Sequence, residues 1–222
     1  MVDNKDILKM KIPSACYVKG CERWNRMPKG KSHVFTESPE KTLMGFVAEE
    51  FLHHLMPKMT PSAGHDVYGY DFLFFGKKLE IKNKCVNSVP RPSYDVSTSY
   101  GAYDQPCDVY FFTRCTETYG DSCFEGKFVL ADTIKPEMVE RLVHNLSQKF
   151  PFIYLLGFIG KEEFNQNGFR VLPGTVLGNG SRAKGDTWNS TINLLRPTKT
   201  LLDGYAVQSA NRQTIEECIL TA

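Results

Sequence analysis

One stretch constrains this chain more than any other: Tyr70-Asp71-Phe72-Leu73-Phe74-Phe75-Gly76-Lys77-Lys78-Leu79-Glu80-Ile81-Lys82. Two apolar-rich runs flanking a glycine are the mark of a β-hairpin. Gly76-Lys77 suits a two-residue loop with glycine first, the type II′ pattern. That loop sets Phe72 opposite Ile81 and Phe74 opposite Leu79. Side chains alternate across a strand, so these four apolar residues share one face. The second face then receives Asp71 opposite Lys82 and Glu80 opposite Leu73, with Glu80 and Lys82 on the same side of their strand. A single register buries the apolar set and gathers Asp71, Glu80 and Lys82 within a small area.

Around the hairpin, helix and strand signals interleave. Ser38-Pro39-Glu40-Lys41 reads as a helix start, with Ser as N-cap, Pro at the first helical position and an acid in the first turn. The spacing predicts a helix to Leu55, stopping before Pro57. A second helix is predicted over Pro136–Lys149, where Met138, Leu142 and Leu146 recur at helical spacing. Strands are expected at 109–113, 127–130 and 152–159, and one helical turn at 161–165. The segment 88–106 holds three prolines and reads mainly as a loop. Late in the chain, a hairpin and a short helix over 214–220 are expected. The pattern predicts an α/β domain with a mixed β-sheet flanked by helices. Residues 1–37 read as an N-terminal arm of short elements, 38–175 as the core, and 176–222 as a C-terminal extension packed on it.

Composition limits the function classes. With 41% hydrophobic and 12% aromatic residues, 222 residues can bury a full core. There is no apolar run of about 18 residues for a membrane span, and the first residues lack the apolar core of a secretory signal. Seven cysteines form no C-x-x-C pair, and the Cys16/Cys21 spacing does not suit zinc. Reduced thiols in a cytoplasmic protein are expected. The net charge is only +2, yet the cations group: Lys19, Arg23, Arg26, Lys29 and Lys31 around Trp24, and Lys77, Lys78, Lys82 and Lys84 along the hairpin. Such groups are ordinarily solvated surface, but a DNA-binding protein can confine its basic residues to one face. Gly178-Asn179-Gly180-Ser181 lacks the G-K-[ST] ending of a P-loop, which argues against nucleotide hydrolysis by that route.

Two carboxylates held as close as Asp71 and Glu80 repel, and each raises the other's pKa. A divalent cation removes the conflict, and hard oxygen ligands with room for water suit magnesium or manganese. Such an ion lowers the pKa of water and neutralises charge on a phosphate. A neighbouring lysine can orient the attacking water and stabilise the pentacovalent charge. The plain alternative is a hairpin whose Asp–Lys and Glu–Lys pairs decorate a solvent face.

Asp71, eight intervening residues and Glu80-Ile81-Lys82 resemble the D-(x)n-(D/E)-x-K core of the PD-(D/E)XK nuclease superfamily, which has a restriction-endonuclease-like fold. Gly45-Phe46-Val47-Ala48-Glu49-Glu50 is similar to the G-x-x-A-E helix of its junction-resolving members. Asp108-Val109-Tyr110-Phe111-Phe112 is similar to the strand that follows the carboxylate pair. The segment 155–164 resembles the closing part of small phage-encoded nucleases of this class. The resemblance covers roughly residues 42–175, and it departs from the family where Tyr70, not Pro, precedes Asp71. It implies Mg2+- or Mn2+-dependent hydrolysis of DNA phosphodiester bonds. Asp71, Glu80 and the main-chain oxygen of Ile81 hold the metal in that reading. Lys82 positions the water and Glu49 completes the site. The helical wheel leaves Glu50 as an alternative to Glu49. Asp66 is a second candidate for the first acid, but it lies beyond the paired strand, so Asp71 is preferred. Lys84, Arg91 and Arg114 are candidate phosphate contacts, Tyr94, Tyr100 and Tyr103 candidate base-stacking residues, and His53, His54 and His65 candidate proton donors. The rival reading is a non-catalytic DNA-binding or virion-structural protein that kept the fold. Cutting mode and oligomeric state stay open, a homodimer included.

Overall fold

A computed structural model of the chain describes residues 2–26, 39–62, 70–99, 106–118, 133–177 and 182–209. The first half runs β1 (Leu8–Lys11), α1 (Ser14–Arg26), α2 (Pro39–Leu55), β2 (Thr60–Pro61), β3 (Phe72–Phe74) and β4 (Lys77–Val86). It continues through β5 (Asp95–Ser99), β6 (Val109–Thr116), α3 (Pro136–Lys149) and β7 (Phe152–Gly160). The last described elements are α4 (Lys161–Asn167), β8 (Phe169–Val171), β9 (Thr187–Thr191) and α5 (Thr198–Ser209).

The fold is α/β. Its main sheet has six described strands in the order β1-β7-β6-β4-β3-β2. Only β4 and β6 run parallel; the other neighbours are antiparallel, so the sheet is mixed. A second sheet has three described strands in the order β5-β9-β8. Strand parity divides the main sheet into two faces. Leu79, Ile81 and Cys85 of β4, Phe111 and Cys115 of β6, and Ile153 and Leu155 of β7 pack with α1, α2 and α3 in one buried cluster. Tyr110, Phe112, Tyr154, Leu156 and Ile159 join a second cluster with Val96 of β5, Phe164 of α4, Ile192 and Leu195. Each large side chain fully buried this way contributes about 1.5–3 kcal/mol.

The helix α2 is buried nearly all round: Leu43, Met44, Val47, Ala48, Phe51, Leu52 and Leu55 all lie in the core. These apolar residues pack between the main sheet and α1, while Lys41 and His54 stay exposed. The contact with α1 is close. A Cβ on Gly20 would stand 2.7 Å from Val47 Cγ2 and 3.3 Å from its backbone nitrogen. On the other side of α1, Tyr17 donates its hydroxyl to the Phe150 carbonyl at 2.6 Å. The Asn25 side chain bonds both the N–H and the carbonyl of Ile134.

Several expectations need correction. The segment read as an N-terminal arm supplies an edge strand, β1, and a core helix, α1, with Cys16, Tyr17, Cys21 and Trp24 buried. The stretch 88–106, read as a loop, contains β5, whose partner β9 lies far along the chain. The hairpin loop is Phe75-Gly76, not Gly76-Lys77. Phe75 (φ 47°) and Gly76 (φ 75°) are both left-handed, the backbone of a type I′ turn. The register is therefore Phe72↔Leu79, Leu73↔Lys78 and Phe74↔Lys77. Pairing shifts by two residues relative to the expectation, so each side chain keeps its face.

The sequence expectations for Ser38, Lys29, Lys31, His65, Asp66, Tyr100, Tyr103, strand 127–130, loop 178–181 and helix 214–220 lie outside the described residues. Among the described residues, no helix is long and apolar enough to cross a membrane.

Candidate functional site

The site forms where β3 leaves β4. Pairing between the two strands ends at Phe72↔Leu79. One residue earlier, the Asp71 N–H donates to the Leu79 carbonyl at 2.9 Å, and Asp71 Oδ2 accepts the Ile81 N–H at 2.6 Å. The side chain of Asp71 thus takes the place of a strand at the edge of β4. On the opposite edge, the carbonyls of Lys78 and Val86 accept from Asp108 and Glu117 at the two ends of β6. Backbone groups alternate edges along a strand. Leu79 and Ile81 therefore turn theirs toward the β3 side, and the Ile81 carbonyl shares the Asp71 edge.

Glu80 lies on the sheet face opposite α2 and is buried, 7% exposed. Lys82 Nζ donates to Glu80 Oε1 at 2.6 Å. From α2, Glu49 reaches the same edge, buried and ion-paired with Arg23 of α1. Arg23 also reaches Glu50 Oε1 at 3.6 Å, and its guanidinium lies 5.6 Å from the Phe46 ring. The close α1–α2 approach at Gly20, one helical turn before Arg23, delivers this cation.

The electrostatics follow from crowding. Burial pushes the Glu49 carboxyl well above the usual range; the charge of Asp71 adds to the push, Arg23 opposes it, and Glu80 and Glu50 add further. Burial also raises Asp71, against the pull of the Ile81 N–H, of Arg23 and Lys82, and of a hydrogen bond with Glu49. Crowded this closely, the two carboxyls titrate together rather than as separate groups. The site is overloaded with acid for the cations it holds.

The structure thus brings together Glu49, Asp71, Glu80, Ile81 and Lys82. Glu50 contacts the cluster through Arg23. The oxygen-rich donor set has the chemistry of a hard divalent cation site, and Glu49 Oε2, beyond its ion pair, makes no hydrogen bond. Among the described residues, however, no three His, Cys, Asp or Glu side chains stand in metal-holding geometry as they are. Arg23 and Lys82 occupy two of the carboxylates. The histidines have other contacts: His53 tilts against Phe72 at 5.6 Å, and burial and Lys19 lower His54. Arg91 is exposed on the loop before β5.

Arg23 is the residue that sequence reasoning missed. It stood in a basic stretch, yet it shares a helix face with Gly20 and neighbours the buried Trp24. A small residue among large buried ones signals a close helix crossing, and that signal was present. No family model, curated protein or solved structure matches this chain.

Proposed function

We propose that the chain is a metal-dependent nuclease of restriction-endonuclease-like fold that hydrolyses DNA phosphodiester bonds. The observation that carries this reading is the bond from the Ile81 N–H to Asp71 Oδ2 at the vacated edge of β4. It sets Asp71 beside Glu80, Lys82 and the Ile81 carbonyl, the arrangement expected of the D-(x)n-(D/E)-x-K motif. The mixed sheet flanked by helices is compatible with that fold.

In this reading Asp71, Glu80 and the main-chain oxygen of Ile81 would hold Mg2+ or Mn2+, and Glu49 completes the acidic set. The ion supplies charge neutralisation at the phosphate and a lowered pKa for water. The remaining work falls to the protein. The Lys82 ammonium, held by Glu80, orients the attacking water and offers a donor to the charge that builds on the phosphate oxygens. Asp71 is fixed by a main-chain donor, which removes rotamer freedom from the acid at the centre. Arg23 neutralises Glu49 until a cation does so. Phosphoryl transfer of this kind depends on positioning and electrostatics rather than covalent participation.

The ion pairs Arg23–Glu49 and Lys82–Glu80 favour a second reading, in which the acids are satisfied without metal and the protein binds DNA or builds a particle without cutting. Wild type and Glu80→Ala are incubated with supercoiled, linear and single-stranded DNA in Mg2+, Mn2+ or EDTA. The nuclease reading expects cleavage that needs metal and disappears in the variant. Absence of cleavage by folded wild type on every substrate favours the second reading.

A further inference from the structure

Beyond Lys82 on the same face, a cavity of about 160 Å3 opens between the main sheet and the small one. Lys82 and Lys84 of β4, Arg114 and Phe112 of β6, and Asp95 and Ser97 of β5 line it. Parallel pairing sets Lys84 directly beside Arg114, so two cations stand side by side on one wall. Lys82 stands roughly 6.6 Å along the strand from Lys84.

Arg114 is the unusual member. It is 4% exposed, and burying a guanidinium is costly unless it is well paired. Its described contacts are weak: Nη2 to the Asp95 carbonyl at 3.4 Å and the Tyr94 ring at 5.5 Å. Among the described residues, its Nε has no acceptor. Asp95 is the one carboxylate among the described residues of the wall and is shared, since Asn189 Nδ2 also donates to it at 3.4 Å. The wall stays net cationic, with donor capacity to spare. At ~30 Å3 per water the cavity holds about five waters, room for a phosphoryl group with its oxygens.

We propose that this cavity is a phosphate-binding subsite, in which Arg114 and Lys84, with the Ser97 hydroxyl, take a phosphoryl group of the nucleic-acid strand next to the one at Glu80 and Lys82. Bidentate-capable arginine beside a point-charge lysine is the pairing that suits phosphate. A phosphoryl group in the cavity would meet the Arg114 guanidinium, which lines it. The proposal rests on the nuclease reading for the nature of the strand, not for the capture of phosphate.

The full chain in EDTA is titrated with inorganic pyrophosphate, read by thermal shift. Short single-stranded oligonucleotides bearing a 5′-phosphate or a 5′-hydroxyl are then titrated, read by anisotropy. Lys84→Ala, exposed and safe for folding, is compared with Arg114→Met, and Lys84→Arg serves as rescue. The expected result is an affinity about tenfold weaker in each removal variant. The salt slope falls by about one in Lys84→Ala, and Lys84→Arg recovers. A preference for 5′-phosphate that the variants abolish assigns the subsite to a strand end. Equal affinity for both oligonucleotides, equally weakened, assigns it to an internal phosphate. Phosphate capture through these residues in a wild type that cuts nothing keeps the subsite and removes the nuclease reading. Lys84→Ala binding every probe as tightly as wild type overturns the proposal, as does a wild type that binds none.

Discussion

On the helical face of the main sheet, β4 presents Leu79, Ile81 and Cys85 to a dry core closed by α1, α2 and α3. On the other face the same strand presents Glu80, Lys82 and Lys84 toward an open edge and a cavity. That second face is apolar where β6 and β7 carry Tyr110, Phe112 and Leu156 and charged along β4. Strand parity separates the two kinds of side chain within ten residues. One set of side chains is packed for stability. The alternate set carries charge, and burying charge costs stability unless it is paired.

The largest expected effect breaks the dry face. Phe111→Ala removes a fully buried ring beside Ile81 and should cost about 3–5 kcal/mol in urea unfolding. Lys84→Ala, its exposed counterpart on the charged face, should stay within about 1 kcal/mol, and equal losses would dissolve the distinction. A smaller effect is expected where the helices meet. Gly20→Ala forces a methyl against Val47 at 2.7 Å and should cost about 1–3 kcal/mol by overpacking. Because Gly20 sets the approach that delivers Arg23, Gly20→Ala should also weaken whatever activity the carboxylates support. A variant equally stable and active would mean the helices yield freely.

The subtlest prediction concerns pH. Glu49 and Asp71 are raised above their ordinary values near 4.5 and 3.8. A group with a raised folded pKa lends stability that is present below its ordinary value and lost as pH rises through the folded one. In EDTA the melting temperature of wild type should therefore fall, relative to Asp71→Asn, as pH climbs from about 4 toward neutrality. The amide introduced by Asp71→Asn keeps an acceptor for the Ile81 N–H, so the variant isolates the charge. Parallel curves for the two proteins would show that the acids are not crowded.

Much of this was legible in the sequence, for local reasons. The helix over Pro136–Lys149 begins at a proline and follows an apolar period, and it spans the residues expected. The hairpin faces were legible because parity survives a shift of two. Its loop was not. Gly76 fits the first position of one turn type and the second of another, and the outcome puts Phe75 at positive φ. Contacts of the Phe75 ring with Phe74 and Tyr205 of α5 accompany that choice, and no local pattern announces them. The strand β5 was hidden for the same reason: its pairing with β9 bridges distant segments. Glu49 and Glu50 looked alike on the wheel because each borders an apolar face of α2. What separates them is Arg23 and Asp71, both from other elements.

The most direct test of the central claim is a titration of the chain with Mn2+, with the free ion followed by electron paramagnetic resonance. The account predicts saturable binding that is lost in Asp71→Asn/Glu80→Gln while the circular dichroism spectrum of the fold is retained. Binding that is absent in wild type, or unchanged in the double variant, would contradict it.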